Sequence, residues 1–167
     1  MRTMVTCALV AASVVPTAQS LHAQAGAGTP SVRACSLLTK ELVTETTPYD
    51  KKVFGQVLII PPSEEAAGKA GSACSYGGVH LQIDPFPLSV IENQRLADAK
   101  RGQPWAAVPG VGDVAYFRDN RGRFGELFAR VGARIVTIQM DVPHGRTTES
   151  IKPNAIALAQ AIAARLR

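Results

Sequence analysis

Histidine, cysteine and aromatic side chains are scarce in this chain, and each shortage closes off a class of function. There are three histidines and three cysteines among 167 residues. His22 and Cys7 fall in the first 25 positions, which leaves His80, His144, Cys35 and Cys74. A zinc centre takes about four ligands, or three and a water, and these residues are not at ligand spacing, so no metal is expected. Aromatics make up only 5%, and so few serve a core before they line a pocket. The net charge is +5, yet no dense Lys/Arg run exists, which argues against nucleic acid as a partner. No apolar run reaches the roughly 20 residues that cross a bilayer. Paired catalytic carboxylates and a nucleophile–base motif are also missing, so no catalytic residue and no cofactor is assigned.

What the chain does have begins at its N-terminus. Arg2, the apolar run Met4 to Val15 and the small-x-small triplet Ala23-Gln24-Ala25 before Gly26 have the layout of a secretory signal peptide over 1–25. Cys7 sits inside the apolar run, away from the cleavage point, so it is not a site of lipid attachment. Loss of this leader removes Arg2 and lowers the charge to about +4, a mild excess that favours solubility and weak contact with anionic surfaces. The expected product is periplasmic or secreted, with no stable membrane insertion. Its two remaining cysteines, Cys35 and Cys74, form an even pair in an exported chain and read as a disulfide.

Residues 26–33 are small and polar and read as a flexible arm, and 34–167 as one domain. Ala34 to Glu45 has the pattern of a short helix, with Leu38, Leu42 and Cys35 on one face. Val53 to Ile60 is rich in β-branched residues and predicts a strand ended by Pro61-Pro62. The polar stretch from Pro61 to Gly71 reads as a surface loop. Ala73 to Tyr76 starts another strand, which Gly77-Gly78 breaks or bulges. From Val79 to Phe86 apolar and polar residues alternate, as in a half-buried strand. Leu88 to Arg101 predicts a helix with Ile91, Leu96 and Ala99 on its apolar side.

The organising stretch is Val108 to Val142. A glycine-rich loop leads into strands over Val114–Arg118, Glu126–Val131 and Arg134–Val142, joined by Asp119–Gly122 and by the two-residue turn Gly132-Ala133. That second turn sets Ala129 opposite Val136 and Leu127 opposite Ile138, with Val131 on the same face. Glu126 opposite Gln139 and Phe128 opposite Thr137 then lie on the other face. One register buries one consistent face, as a half-buried hairpin requires. The final helix is capped by Ser150, has Pro153 in its first turn, and carries the stripe Ile151, Ala155, Leu158, Ile162 and Leu166. The fold class is α+β: an antiparallel sheet of about five strands with helices packed mainly on one face.

Several motifs invite a chemical reading. Gly110-Val111-Gly112-Asp113-Val114-Ala115 matches the dinucleotide fingerprint in letters. That fingerprint needs a strand before it and a helix after it, whereas here Pro109 precedes and a β pattern follows. A tight loop with Asp113 holding backbone donors fits instead. Cys74-Ser75-Tyr76-Gly77-Gly78 resembles a nucleophile elbow but has Ala73 where glycine is required. Arg118, Arg121, Arg123, Arg130 and Arg134 cluster around the hairpins. They either take an anionic ligand or guard strands and turns. Trp105, with Tyr116, Phe117, Phe124 and Phe128, either lines a small apolar pocket or fills the core. The candidate ligand or partner surface is therefore Trp105, Gly110, Gly112, Asp113, Arg118, Arg121 and Arg123.

The segments Cys35-Ser36-Leu37-Leu38-Thr39, Cys74-Ser75-Tyr76 and Gly110 to Ala115, followed by strands and an Ala/Leu-rich helix, make the chain resemble a domain-of-unknown-function family of bacterial cell-envelope lipoproteins and secreted proteins. The resemblance implies a disulfide and a compact α+β domain, and it brings no catalytic residues. The functional expectation is a non-enzymatic exported module that binds an envelope protein or small ligand. The alternatives are a hydrolase using His80 or His144 with a nearby Asp, and an inhibitor or regulator of an envelope enzyme with an exposed apolar patch at the entry loop. Alkylation of the unreduced chain followed by mass spectrometry is expected to leave Cys35 and Cys74 unmodified, and labelling of both thiols would rule the bridge out.

Overall fold

The computed structural model describes residues 32–47, 63–67 and 71–167. The expected leader, most of the expected arm and the strand expected over Val53–Ile60 lie outside the described residues. In chain order the elements are α1 (Ala34–Leu37), α2 (Lys40–Thr46), β1 (Ser63–Ala67), β2 (Gly71–Tyr76), β3 (Val79–Asp84), α3 (Leu88–Lys100), β4 (Ala106–Ala107), β5 (Val114–Asn120), β6 (Phe124–Val131), β7 (Arg134–Asp141) and α4 (Thr148–Leu166).

The strands form one antiparallel sheet in the order β1-β2-β3-β7-β6-β5-β4. Among the described residues it has six strands of five residues or more and the two-residue β4 at one edge, against about five expected. The extra strand is β1, in the stretch expected to be a loop. Its backbone pairs with β2, Glu65 opposite Ala73. Ser-Glu-Glu-Ala-Ala has little β preference of its own, so the neighbouring strand's unpaired backbone decides its state. Gly77-Gly78 proves to be a two-residue hairpin turn, with Tyr76 opposite Val79 and Ser75 opposite His80. The β6–β7 register is the expected one: Ala129 faces Val136, Leu127 faces Ile138, Glu126 faces Gln139 and Phe128 faces Thr137.

That register gives the inner face Leu127, Ala129, Val131, Val136, Ile138 and Met140, all buried. Val79, Leu81 and Ile83 of β3 and Ala115 and Phe117 of β5 extend it. The α4 stripe covers this face, and Ile151, Ala155, Leu158 and Ile162 have no solvent exposure, while Leu166 is partly buried at its end. Gly125 makes room beneath Phe117, because a Cβ there would lie 2.6 Å from Phe117 Cζ.

The expected helix over 34–45 is two helices. Thr39 is extended, and its hydroxyl accepts from Leu42 N at 3.3 Å, which caps α2. The break lets Leu38 and Leu42 both enter the core. Cys35 is bonded to Cys74, sequence separation 39, so α1 is stapled to β2. In the chain-entropy picture a loop of this length stabilises by about 4 kcal/mol before strain. The cap of α4 is Thr147, with Ser150 answering it in a reciprocal capping box. Pro153 therefore lies inside the helix, past the first turn.

Three helices cover the inner face, but α3 lies on the other side of the sheet. There Ile91, Trp105, Phe128 and Ile135 form a second, smaller core flanked by Leu88 and Tyr116. Phe128 and Ile135 stand at outward positions of β6 and β7, so that face too had apolar surface to cover. Leu96 does not face inward as its spacing suggested; it is 51% exposed. The buried residues of α3 are Ile91 and Asp98, seven apart on one stripe, and Asp98 takes the inward place.

The glycine-rich loop is pinned to the β6–β7 hairpin. Gly112 has φ +56°, and a Cβ on it would meet Arg130 O at 2.1 Å. Asp113 N donates to that same carbonyl at 2.7 Å, and Asp113 Oδ2 accepts from Gly132 N at 2.9 Å. Gly112→Ala is expected to destabilise the domain by at least about 2 kcal/mol, measured as a shift of the urea midpoint. An unchanged midpoint would show that the loop is not latched this way.

Candidate functional site

Four places deserve comparison, and the first is the cluster around Trp105 and Arg118. Trp105 stacks on Phe128 at 4.5 Å between ring centroids and meets Tyr116 edge-on at 6.4 Å. Its Nε1 donates to Asp98 Oδ2 at 2.9 Å. Arg118 lies over both rings, 5.1 Å from Trp105 and 5.4 Å from Phe128. Its Nη1 donates to Asp98 Oδ2 at 2.9 Å and its Nε to Glu126 Oε2 at 2.7 Å, with Nη2 also on Glu126. Arg101 closes the group by pairing with Asp98 Oδ1.

Two carboxylates therefore neutralise Arg118, and its guanidinium lies against the stacked Trp105–Phe128 pair. Burial by itself would raise the pKa of Asp98. The hydrogen bonds from Arg101, Arg118 and Trp105 outweigh that and hold the carboxyl below its ordinary range. Around the rim, Tyr116 O–H donates to Glu92 at 2.7 Å and Arg95 Nε donates to the same carboxylate at 2.9 Å. The hydrogen bond from Tyr116 is the main reason the Glu92 pKa is lowered. The cluster locks α3 and the Trp105 segment onto the sheet, and its charges are already matched.

The second place is the loop holding Gly110, Gly112 and Asp113. Val108 and Val111 are buried, and the chain runs straight into β5. Among the described residues, a strand and not a helix follows the glycines. Asp113 serves Gly132 N and sits 3.9 Å from Arg130 Nε, while Gln160 and Arg167 of the last helix reach the carbonyls of Gly110 and Gly112. Arg121 and Arg123 are exposed at the β5–β6 turn, where Asp119 Oδ1 accepts from Gly122 N at 2.8 Å. The structure thus joins Trp105 to Arg118 and ties Asp113 to the hairpin, but it leaves Arg121 and Arg123 outside both groups.

The third place lies at one end of the outer sheet face. Ser75 Oγ and His80 Nδ1 are 2.8 Å apart. They are cross-strand neighbours, and Gln139 of β7 is the next residue along the same row. Ser75, His80, Gln139, Asp141 and the Gly77-Gly78 turn line a recess of about 360 Å³. Gln139 hydrogen-bonds Asp141, while partial desolvation by the sheet, the stronger effect, raises the Asp141 pKa. His144 stands apart from this group, exposed in the loop before α4. Farther along β3, buried Asp84 accepts from Gln82 Nε2 at 2.8 Å, and burial raises its pKa. Among the described residues no group of three or more His, Cys, Asp or Glu could hold a metal.

The fourth place is the far end of β3. Pro85, Phe86, Pro87 and Leu88 line a recess of about 420 Å³ with Arg130, Gly132 and Ala133. Phe86 is 51% exposed and Val90, one turn into α3, is 46% exposed. This recess was not among the sequence candidates, and Ser75 and His80 stood there separately, not as a pair. The pair was legible in principle: a two-residue turn at Gly77-Gly78 forces Ser75 opposite His80. The alternating pattern from Val79 runs on to Phe86 in the sequence, but β3 stops at Asp84 and Phe86 lies beyond it between two prolines.

No protein-family model, no curated protein and no solved structure matches the chain. Among the described residues, no helix is long and apolar enough to cross a membrane.

Asp98→Ala is expected to cost roughly 3 kcal/mol, the scale for orphaning one partner of a buried pair, since only 2% of Asp98 reaches solvent. The pH dependence has a definite sign. The pKa of Asp98 is depressed in the folded state. Its contribution is full above the unfolded-state value near ~3.9 and is lost as pH falls through the folded value. The stability gap between the wild type and Asp98→Asn in urea titrations should therefore close on acidification below that range. A gap that widens there would contradict the arrangement.

Proposed function

We propose that the chain is an exported binding module that docks a partner or ligand through the recess beside Phe86. The observation that carries this is the exposure of Phe86. An aromatic ring is held in the open by a proline on either side, next to an apolar wall and the half-exposed Arg130 guanidinium. Prolines fix the backbone before binding, so little ordering entropy is lost when a partner covers the ring. Buried aromatic and arginine anchors dominate interface energetics. The Trp105–Arg118 group supports the same reading by exclusion, since its charges and rings are engaged internally.

Export is part of this proposal and rests on the leader pattern together with the Cys35–Cys74 disulfide, which persists in oxidising compartments. The resemblance to envelope lipoprotein and secreted domains points the same way, with a periplasmic or secreted location and an envelope component as partner. The regulator of an envelope enzyme is a special case of this reading. Its apolar patch would lie at Phe86 and Val90, because the large apolar side chains of the entry loop, Val108 and Val111, are buried.

The test is capture from an envelope extract with the oxidised mature chain as bait, compared with Phe86→Ala. The wild type should retain a reproducible component that the variant loses by tenfold or more. Equal recovery by both, or none by either, would remove the reading.

A further inference from the structure

We propose that Ser75 and His80 form a nucleophile–base pair that gives the chain a slow acyl-transfer activity toward small carboxylic esters. The site lies at the opposite end of β3 from Phe86 and does not depend on the binding role proposed above.

The geometry supplies three parts. The first is the pair itself: Ser75 Oγ within 2.8 Å of His80 Nδ1, inside hydrogen-bond reach for proton transfer. The second is rigidity. Ser75 follows Cys74, which is fully buried and disulfide-bonded to Cys35. His80 belongs to β3, paired on both sides by β2 and β7. Neither strand can shift without breaking a ladder. The third is a neighbouring donor. Gln139 stands opposite His80 on β7 and shares the recess. Its amide nitrogen carries two hydrogens, and one of them is assigned to the developing oxyanion. Ser75, His80 and Gln139 are each half-buried, which leaves them reachable from the recess.

The chemistry balances without a cofactor. Ser75 Oγ adds to the ester carbonyl carbon as its proton passes to His80 Nδ1, and the carbonyl oxygen takes the negative charge. Collapse breaks the bond to the alcohol oxygen, which leaves with the proton from His80. Water then adds to the acyl carbon, again giving its proton to His80, and Ser75 is released with that proton. The products are one carboxylic acid and one alcohol. The histidine uses Nδ1 towards serine, and no described carboxylate is bonded to its other nitrogen, so turnover should be slow compared with a full triad.

The experiment is reaction of the oxidised mature chain with a fluorophosphonate ester, read by intact and peptide mass spectrometry. It is paired with release of p-nitrophenol from p-nitrophenyl acetate. One phosphonyl adduct on Ser75 is expected, with an acyl-enzyme burst. His80→Ala should slow labelling by about 100-fold, the lower end for a general base, and Gln139→Leu should lower ester turnover at least tenfold. Oxidised Cys35–Cys74 and an unchanged circular dichroism spectrum establish that each variant is folded. No adduct, an adduct elsewhere, or equal labelling of folded His80→Ala would overturn the proposal. The assay contains no partner, so its failure leaves capture through Phe86 untouched, and failure of capture leaves this chemistry untouched.

Discussion

The register of the β6–β7 hairpin is the constraint on which the remaining structure depends. Side chains alternate with period two along a strand, so pairing Leu127 with Ile138 and Ala129 with Val136 fixes both faces at once. The inner face becomes continuous apolar surface, and the α4 stripe closes over it. The outer face receives Phe128 and Ile135 among polar neighbours, and this mixture creates the need for α3 and Trp105. A slip of one residue would send Phe128 inward and Leu127 outward, leaving α4 without a matching surface. The Gly112–Asp113 latch reinforces the register, because it grips the carbonyl of Arg130 and the N–H of Gly132 across the hairpin end.

The second core shows how charge can take part in packing. Arg118 lies against the stacked Trp105 and Phe128 rings and between two carboxylates, and Asp98 accepts from Trp105, Arg118 and Arg101. Such a group is favourable only when every donor and acceptor is matched, and among the described residues no buried side-chain nitrogen or oxygen lacks a partner. Trp105 and Arg118, two of the residues that looked like a ligand surface in the sequence, are for this reason internal connectors. Both stood in the sequence among the candidate surface residues, but their partner Asp98 did not. A charged residue in a helix reads as solvent-facing, and only a facing arginine and indole N–H make its burial favourable.

Functionally, the outer face divides into three zones. Its middle is sealed by α3 and the Trp105 group. One end carries the proline-bracketed Phe86 beside Arg130, suited to docking. The other carries Ser75, His80, Gln139 and Asp141 around a glycine turn, suited to polar chemistry. Both ends flank β3, whose alternating pattern supplies apolar residues to the core and polar ones to this face.

The period-two strands, the β6–β7 register, the amphipathic last helix and the cysteine pair were legible in the chain before folding, because each is written in local spacing or in a count of two. The sequence also pointed to a structural loop at Gly110 to Ala115, since a β pattern follows the glycines, and β5 begins at Val114. Tertiary structure alone decided the rest. It made a strand of Ser63–Ala67 through a neighbour's unpaired backbone, turned Leu96 outward and Asp98 inward, and set α3 on the second face. It also brought Gln139 beside the Ser75–His80 pair, 59 residues along the chain from His80. The physical reason is common to these cases: burial and hydrogen-bond satisfaction depend on what lies opposite, and a linear sequence records only what lies next.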